Sequence, residues 1–103
     1  MTIPVVAIFK SKEGEEAKVE SLFRQVIETT LAEDGCIRYQ LNRDTENAGR
    51  FIWTEEWESL ELLHKHLNAP HIQALFAALP AFIESSEVIA LKKVAGGSAL
   101  PRT

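Results

Sequence analysis

An α+β domain of the ferredoxin-like type, a four-stranded antiparallel sheet with its helices on one face, is what this sequence predicts. Three observations lead there. Hydrophobic patterning gives elements in the order β-α-β-β-α-α-β, which with right-handed crossovers is the split β-α-β arrangement. The chain has 103 residues, enough for one small domain. Its 46% hydrophobic and 25% charged residues are those of a globular chain, which excludes wholesale disorder.

Each element has its own warrant. Ile3 to Lys10 (IPVVAIFK) is β-branched, apolar and nearly unbroken, so it reads as a strand covered on both faces. Ser11 to Gly14 makes a polar turn. From Glu15 to Glu33, Val19, Leu22, Phe23, Val26 and Ile27 repeat at i, i+3, i+4, i+7 and i+8, the stripe of one amphipathic helix. Glu15 and Glu16 suit its N-terminal dipole, and Gly35 can supply the left-handed residue that ends it. Cys36 to Arg43 alternates, with Ile37, Tyr39 and Leu41 on one face. Arg50 to Trp57 alternates again, with Phe51, Trp53, Glu55 and Trp57 together, and the turn cluster Asp44 to Gly49 makes the pair a hairpin with a long loop. Ser59 is placed to cap a short helix through Leu67, and Pro70 to open another containing Ile72, Leu75, Phe76 and Leu79. Pro80 ends or kinks that helix, and Glu87 to Val94 is the last strand. Residues 1–94 thus form one domain, and 95–103 a flexible Gly/Ser/Pro tail.

Helices on one side leave the other sheet face bare, yet the first strand is apolar on both sides. A second copy packing sheet against sheet would cover it, so a homodimer is expected. A net charge of −4 without a Lys/Arg cluster argues against a nucleic-acid partner. One cysteine, Cys36, excludes an intramolecular disulfide; at the start of a strand and without a chemical partner in the sequence, it reads as a small buried hydrophobe. No signal-peptide pattern opens the chain, and the apolar run Ala74 to Ile83 is too short to span a membrane. The expectation is a soluble cytoplasmic protein.

The polar candidates gather between Glu55 and His71. His64 and His66 sit two residues apart, about 200° around a helix, so they cannot grip one metal ion. His66 and His71 are separated by the helix break, and sequence does not fix their distance. No metal is expected. A helical wheel puts Glu61, Lys65 and Asn68 on the wet side, His64 at the border, and His66 inward between Leu62 and Leu63. An imidazole there is desolvated, neutral and basic near neutral pH; the alternative is a buried histidine bonded to a backbone carbonyl. Glu55 shares its strand face with three large aromatics and so has either a partner or a raised pKa; otherwise it is an edge glutamate that reaches solvent. Phe9, Phe23, Tyr39, Trp53, Trp57 and Phe76 can line a pocket for a planar ligand or simply form a core.

Glu33-Asp34-Gly35-Cys36 with Tyr39, Glu55-Glu56-Trp57-Glu58-Ser59, and His66-Leu67-Asn68-Ala69-Pro70-His71 together resemble the antibiotic biosynthesis monooxygenase (ABM) family, quinol monooxygenases included. The likeness in element order covers residues 2 to 94. It implies a ferredoxin-like dimer, a dimeric α+β barrel, with the site between sheet and helices. It also implies oxygenation of an electron-rich aromatic (a quinol, an anthrone or a polyketide-like molecule) by dioxygen without metal, flavin or other cofactor. Carried over position by position, His66 matches the family's helix histidine, His71 the histidine after proline and Trp57 the tryptophan that ends the third strand. With Glu55 beside them, His66 is the base or proton relay, Trp57 the ring-stacking wall, and His71 and Glu55 polar partners. The family's haem degraders use an asparagine on the first strand and a histidine in the third helix. Here the strand offers Ala7 and Phe9 and the helix Phe76, so haem is not expected. Two other classes stay open. One is an isomerase or lyase of a small metabolite with His66 and Glu55 as acid and base, for which Arg38 or Arg24 would meet a phosphate. The other is a non-enzymatic dimer that binds a hydrophobic metabolite or a protein.

Overall fold

The computed structural model describes residues 1–100. Along the chain run β1 (Ile3–Ser11), α1 (Glu16–Arg24), α2 (Ile27–Leu31), β2 (Cys36–Asp44), β3 (Asn47–Trp57), α3 (Leu60–Leu67), α4 (Pro70–Ala78), a 3-10 turn (Leu79–Ala81) and β4 (Ile83–Ala90). The strands pair antiparallel in the order β2-β3-β1-β4, the ferredoxin-like sheet the element order predicts. Strand alternation decides what is buried. Val5, Ala7 and Phe9 of β1 and Phe51, Trp53, Glu55 and Trp57 of β3 turn toward the helices. There they meet Val19 and Phe23 of α1, Leu63 and His66 of α3, and Ile72 and Leu75 of α4. Phe23 is the hub of one end of this core. It packs edge-on against Phe9, Phe51 and Trp53 at centroid distances of 5.0, 5.7 and 5.4 Å. Each such pair contributes ~0.5–1.5 kcal/mol beyond the area it buries.

Three expectations need correction. The helix over Glu15–Glu33 is two helices, because Val26 N bonds the Phe23 carbonyl three residues back and tightens the turn. Val26, Ile27, Thr29 and Thr30 are β-branched and hold a regular helix weakly, and the break turns Thr30 fully inward. The hairpin loop is short. Asp44 pairs with Asn47 across Thr45 and Glu46, and the Asp44 carboxylate accepts the Glu46 N–H at 2.9 Å. The last strand lies at Ile83–Ala90, four residues earlier than Glu87–Val94. Its register against β1, from Ser11 opposite Ile83 to Val5 opposite Ala90, is set by backbone pairing, and an edge strand tolerates Ser85 and Ser86. As helices on one side require, β1 is covered on one face only within the chain: Pro4, Val6 and Ile8 are half-exposed on the side away from the helices. Residues 91–100 form no helix or strand, although Lys93 folds back on Glu56 at 2.8 Å; 101–103 of the expected tail lie outside the described residues.

Two local devices fix the site. Ser59 caps α3 as its sequence predicts, its hydroxyl accepting the Leu62 N–H at 3.1 Å. Gly35 has φ of +81°, but in the loop after α2 has already ended at Leu31. A Cβ there would stand 2.4 Å from Leu62 Cδ1. Only glycine lets α3 close against this loop.

Candidate functional site

His66 is buried (2% exposed) on the inner side of α3, as the wheel predicts, while His64 is exposed. Its ring lies against Trp57, with centroids 4.5 Å apart and planes tilted by 31°, and meets Tyr39 edge-on at 5.3 Å. Burial lowers the His66 pKa, the Glu33 carboxylate opposes that, and His71 adds to it. The imidazole is therefore held neutral at a pH where a free one would begin to charge.

Glu55, 7% exposed, projects from β3 into the same space and accepts the Trp57 Nε1–H at 3.0 Å. Burial pushes its carboxyl up to about 7; the indole bond opposes this and the charge of Glu33 reinforces it. The Tyr39 phenol is raised still more by burial and by Glu55, with a Thr30 hydrogen bond countering part of the effect. Cys36 is half-buried, and burial with the charges of Glu33 and Glu55 takes its thiol to about 11, so it is an unreactive thiol.

Between sheet and helices lies a cavity of about 20 Å³, room for one water. Tyr39, Trp53, Glu55 and His66 line one part of it; Ala7, Phe9, Leu67, Ile72, Leu75, Phe76 and Val88 line the rest. Beyond Phe9, Phe76 and Val88 a groove of about 280 Å³ opens to the surface past Leu79, Pro80, Ile83 and Ser86. Of the residues the sequence singled out, His66, Glu55, Tyr39, Phe9 and Phe76 thus converge on one cavity. Trp57 backs it, stacked on His66 and bonded to Glu55. Phe23 is not among the lining residues; it sits behind Phe9 and Trp53 in the core. Ala7, Phe9 and Phe76 offer no iron ligand. Arg38 and Arg24 pair with Glu56 and Glu20, and among the described residues no Arg or Lys lines the cavity.

His71 reaches the far side of the same cluster. Its Nε2 lies 2.9 Å from Thr30 Oγ1 and 3.3 Å from Glu33 Oε2, the oxygen that is 2.7 Å from His66 Nδ1. Sequence reasoning missed Glu33 and Thr30 as site residues. No spacing rule links positions 30 and 33 to 66; the α1–α2 break and Gly35 bring them there. Glu33, His66 and His71 place three donor atoms within 4.8 Å of one another, types that suit a divalent cation. Two ligands of one ion with bonds of ~2.1 Å stand roughly 3 Å or more apart, so the 2.7 Å between Glu33 and His66 is a hydrogen bond.

A model of the family "Antibiotic biosynthesis monooxygenase" matches residues 2–78. The chain is 28% identical to "Probable quinol monooxygenase YgiN" of Escherichia coli K12, over 75% of this chain and 84% of that one. Among solved structures, protein SO0527 from Shewanella oneidensis superposes with a TM-score of 0.84 at 31% identity, covering 87% of this chain and 88% of that one. Rv0793 from Mycobacterium tuberculosis gives 0.87 at 24% identity, covering 95% and 100%, a likeness of fold.

Proposed function

The chain belongs to the antibiotic biosynthesis monooxygenase family, and on that premise we propose that it oxygenates an electron-rich aromatic, a quinol or anthrone-type molecule, with dioxygen and without metal or flavin. The observation that carries this reading is the buried imidazole of His66 between Trp57 and Tyr39, facing a cavity whose lining is apolar and aromatic apart from Glu55.

Such a substrate needs little from the protein except a base, an orientation and the exclusion of water. His66 removes the acidic proton of the bound ring system. The resulting anion gives an electron to dioxygen, and the radical pair joins to form a carbon–oxygen bond. The peroxide so formed takes back a proton, with the neutral carboxyl of Glu55 the second donor beside the imidazolium, and its O–O bond breaks. For an anthrone methylene, one oxygen atom leaves as water with both methylene hydrogens and the other stays as the carbonyl oxygen; the substrate supplies every electron dioxygen takes up. A cavity of about 20 Å³ does not admit a ring as it stands. Entry requires the half-exposed side chain of Phe76 and the exposed Val88 to move aside, which the groove beyond them permits.

Oxygen uptake with a series of quinols and anthrones tests the reading. Turnover with incorporation of one labelled oxygen atom is expected, and stoichiometric iron, copper or flavin in the active protein would contradict it. The bare sheet face belongs to the same proposal. Val6, Ile8 and Ile52, half-buried, and Ile89, exposed, are cross-strand neighbours there, which supports a homodimer burying more than ~1,200 Å² through this face. Light scattering at micromolar concentration should give twice the chain mass, and Ile52→Lys should return the monomer.

A further inference from the structure

The hydrogen-bond cluster behind His66 has work to do that the reaction alone does not assign. Glu33 sits in the loop between α2 and β2, His66 near the end of α3, and His71 in the first turn of α4. Nothing in helix geometry brings these three together. They meet because Gly35 allows Leu62 to close on the loop, and because the Glu58 N–H bonds the Gly35 carbonyl at 2.9 Å, anchoring the loop to the end of β3. The result is a carboxylate 2.7 Å from one ring nitrogen of a histidine whose side chain is 3% exposed.

A carboxylate only accepts hydrogen bonds, so the nitrogen facing it must carry the proton. We infer that Glu33 is the positioning residue for the base: it holds neutral His66 as the Nδ1–H tautomer and leaves the Nε2 lone pair to face the cavity and take the substrate's proton. Without that contact an imidazole in water favours the opposite tautomer, with its proton on Nε2, which is useless as a base at the cavity. The same carboxylate steadies the imidazolium once it forms. His71 completes the arrangement from the other side. Its Nε2, shared between Thr30 Oγ1 and Glu33 Oε2, fixes the carboxylate's orientation and ties α2 to the α3–α4 corner. This deepens the reading of His66 as the base and rests on it.

The test reads the tautomer directly and does not depend on activity. Long-range proton–nitrogen NMR on protein labelled at histidine should show wild-type His66 as the Nδ1–H form above its titration. Glu33→Leu should shift it toward Nε2–H and lower turnover by roughly 10–100-fold, the usual cost of losing a group that orients a reacting residue. Glu33→Gln keeps an acceptor oxygen and should keep the tautomer, but without the negative charge. The titratable groups facing His66 are then His71 from α4, Tyr39 from β2 and Glu55 from β3; none of them bonds Nδ1, and Glu55, whose carboxyl is pushed up to about 7, stays mostly uncharged at the lower pH where the His66 limb falls. The rising limb of the pH–rate profile should therefore move to lower pH as turnover falls. A purely structural Glu33 would change thermal stability in both variants and leave tautomer and limb where they were. An Nε2–H tautomer in the wild type, or an unchanged tautomer in folded Glu33→Leu, overturns the positioning role. Full turnover by His66→Ala would instead overturn the assignment of the base, and the positioning role with it, whatever the tautomer.

Discussion

Glu55 and Glu56 are neighbours on β3 that face opposite sides of one sheet, and the fold treats them in opposite ways. Glu55 points among Trp53, Trp57 and His66 with a single donor among the described residues, the indole of Trp57, and its carboxyl rises to about 7. Glu56 points out among Lys93, Thr2 and Arg38, and their hydrogen bonds and charges hold its carboxyl below the ordinary range. The residue type is the same and the backbone is continuous; only strand alternation separates them. A surface that merely stabilises gives a carboxylate several donors. The inner face gives Glu55 one donor and an apolar wall, which costs folding energy at neutral pH and provides a carboxyl that can hold or release a proton near pH 7.

That contrast can be broken or sharpened by substitution. The largest effect is expected at Trp57, which serves the inner face twice, as a wall for His66 and as the donor to Glu55. Trp57→Ala should cost about 3–5 kcal/mol by chemical denaturation, as for other buried aromatics. Trp57→Phe keeps most of the wall and loses the donor, so Glu55 should titrate above its wild-type value of about 7. A carboxyl carbon that titrates at or below the wild-type value would mean the indole bond is not what restrains it.

Next in size is the pH dependence that Glu55 imposes. Its folded pKa is raised above the unfolded one, so its contribution to stability is complete below the unfolded carboxylate range and is lost as pH rises through about 7. A displacement from 4.5 to about 7 corresponds to ~3 kcal/mol between the two limits. Glu55→Gln retains an acceptor for Trp57 and should flatten the melting profile between pH 5 and 8, gaining most over wild type at the alkaline end; a parallel profile would count against a buried, protonated Glu55. The smallest effect belongs to Glu56. Its pKa is lowered, so its contribution is present at neutral pH and is lost as pH falls through that lowered value, the reverse of Glu55. Glu56→Gln should change stability at pH 7 by less than ~1 kcal/mol, in keeping with an ion pair at the rim, and less again in high salt. An effect as large as that of Glu55→Gln would erase the distinction between the two faces.

How much of this was legible in the sequence follows from what kind of force sets each feature. Alternation along Arg50 to Trp57 put Glu55 among aromatics, and the helical wheel over Leu60 to Leu67 turned His66 inward; both are periodicities of local geometry, and local geometry is written in the chain. The β2–β3 hairpin was legible as a pair but not in its turn, because the Asp44 side chain replaces the expected loop with a two-residue connection. β4 was displaced because an edge strand is specified by the backbone of β1 and only weakly by its own side chains. Glu33 was visible as part of a motif but not as a partner of His66, for a different reason. Its partnership with His66 spans 33 positions in sequence and depends on a helix break and on a glycine that has no Cβ to keep α3 away. His71 was legible as a residue of interest and not as a neighbour of His66, since the corner at Asn68-Ala69-Pro70 decides their 6.2 Å ring separation.

If the buried imidazole on the inner side of α3 does the chemistry, His66 and His64 must differ sharply when each is removed. The two lie two residues apart on one helix, one exposed and one buried beside Trp57. Oxygen uptake with a quinol or anthrone substrate, and the melting temperature, are to be measured on His66→Ala and His64→Ala side by side. His66→Ala is expected to lose roughly 10²–10⁴-fold in turnover with a modest change in melting temperature, and His64→Ala to match the wild type in both. A His66→Ala protein that melts far lower yet retains its activity per folded molecule would contradict that role of His66, and so would equal losses of activity at the two positions.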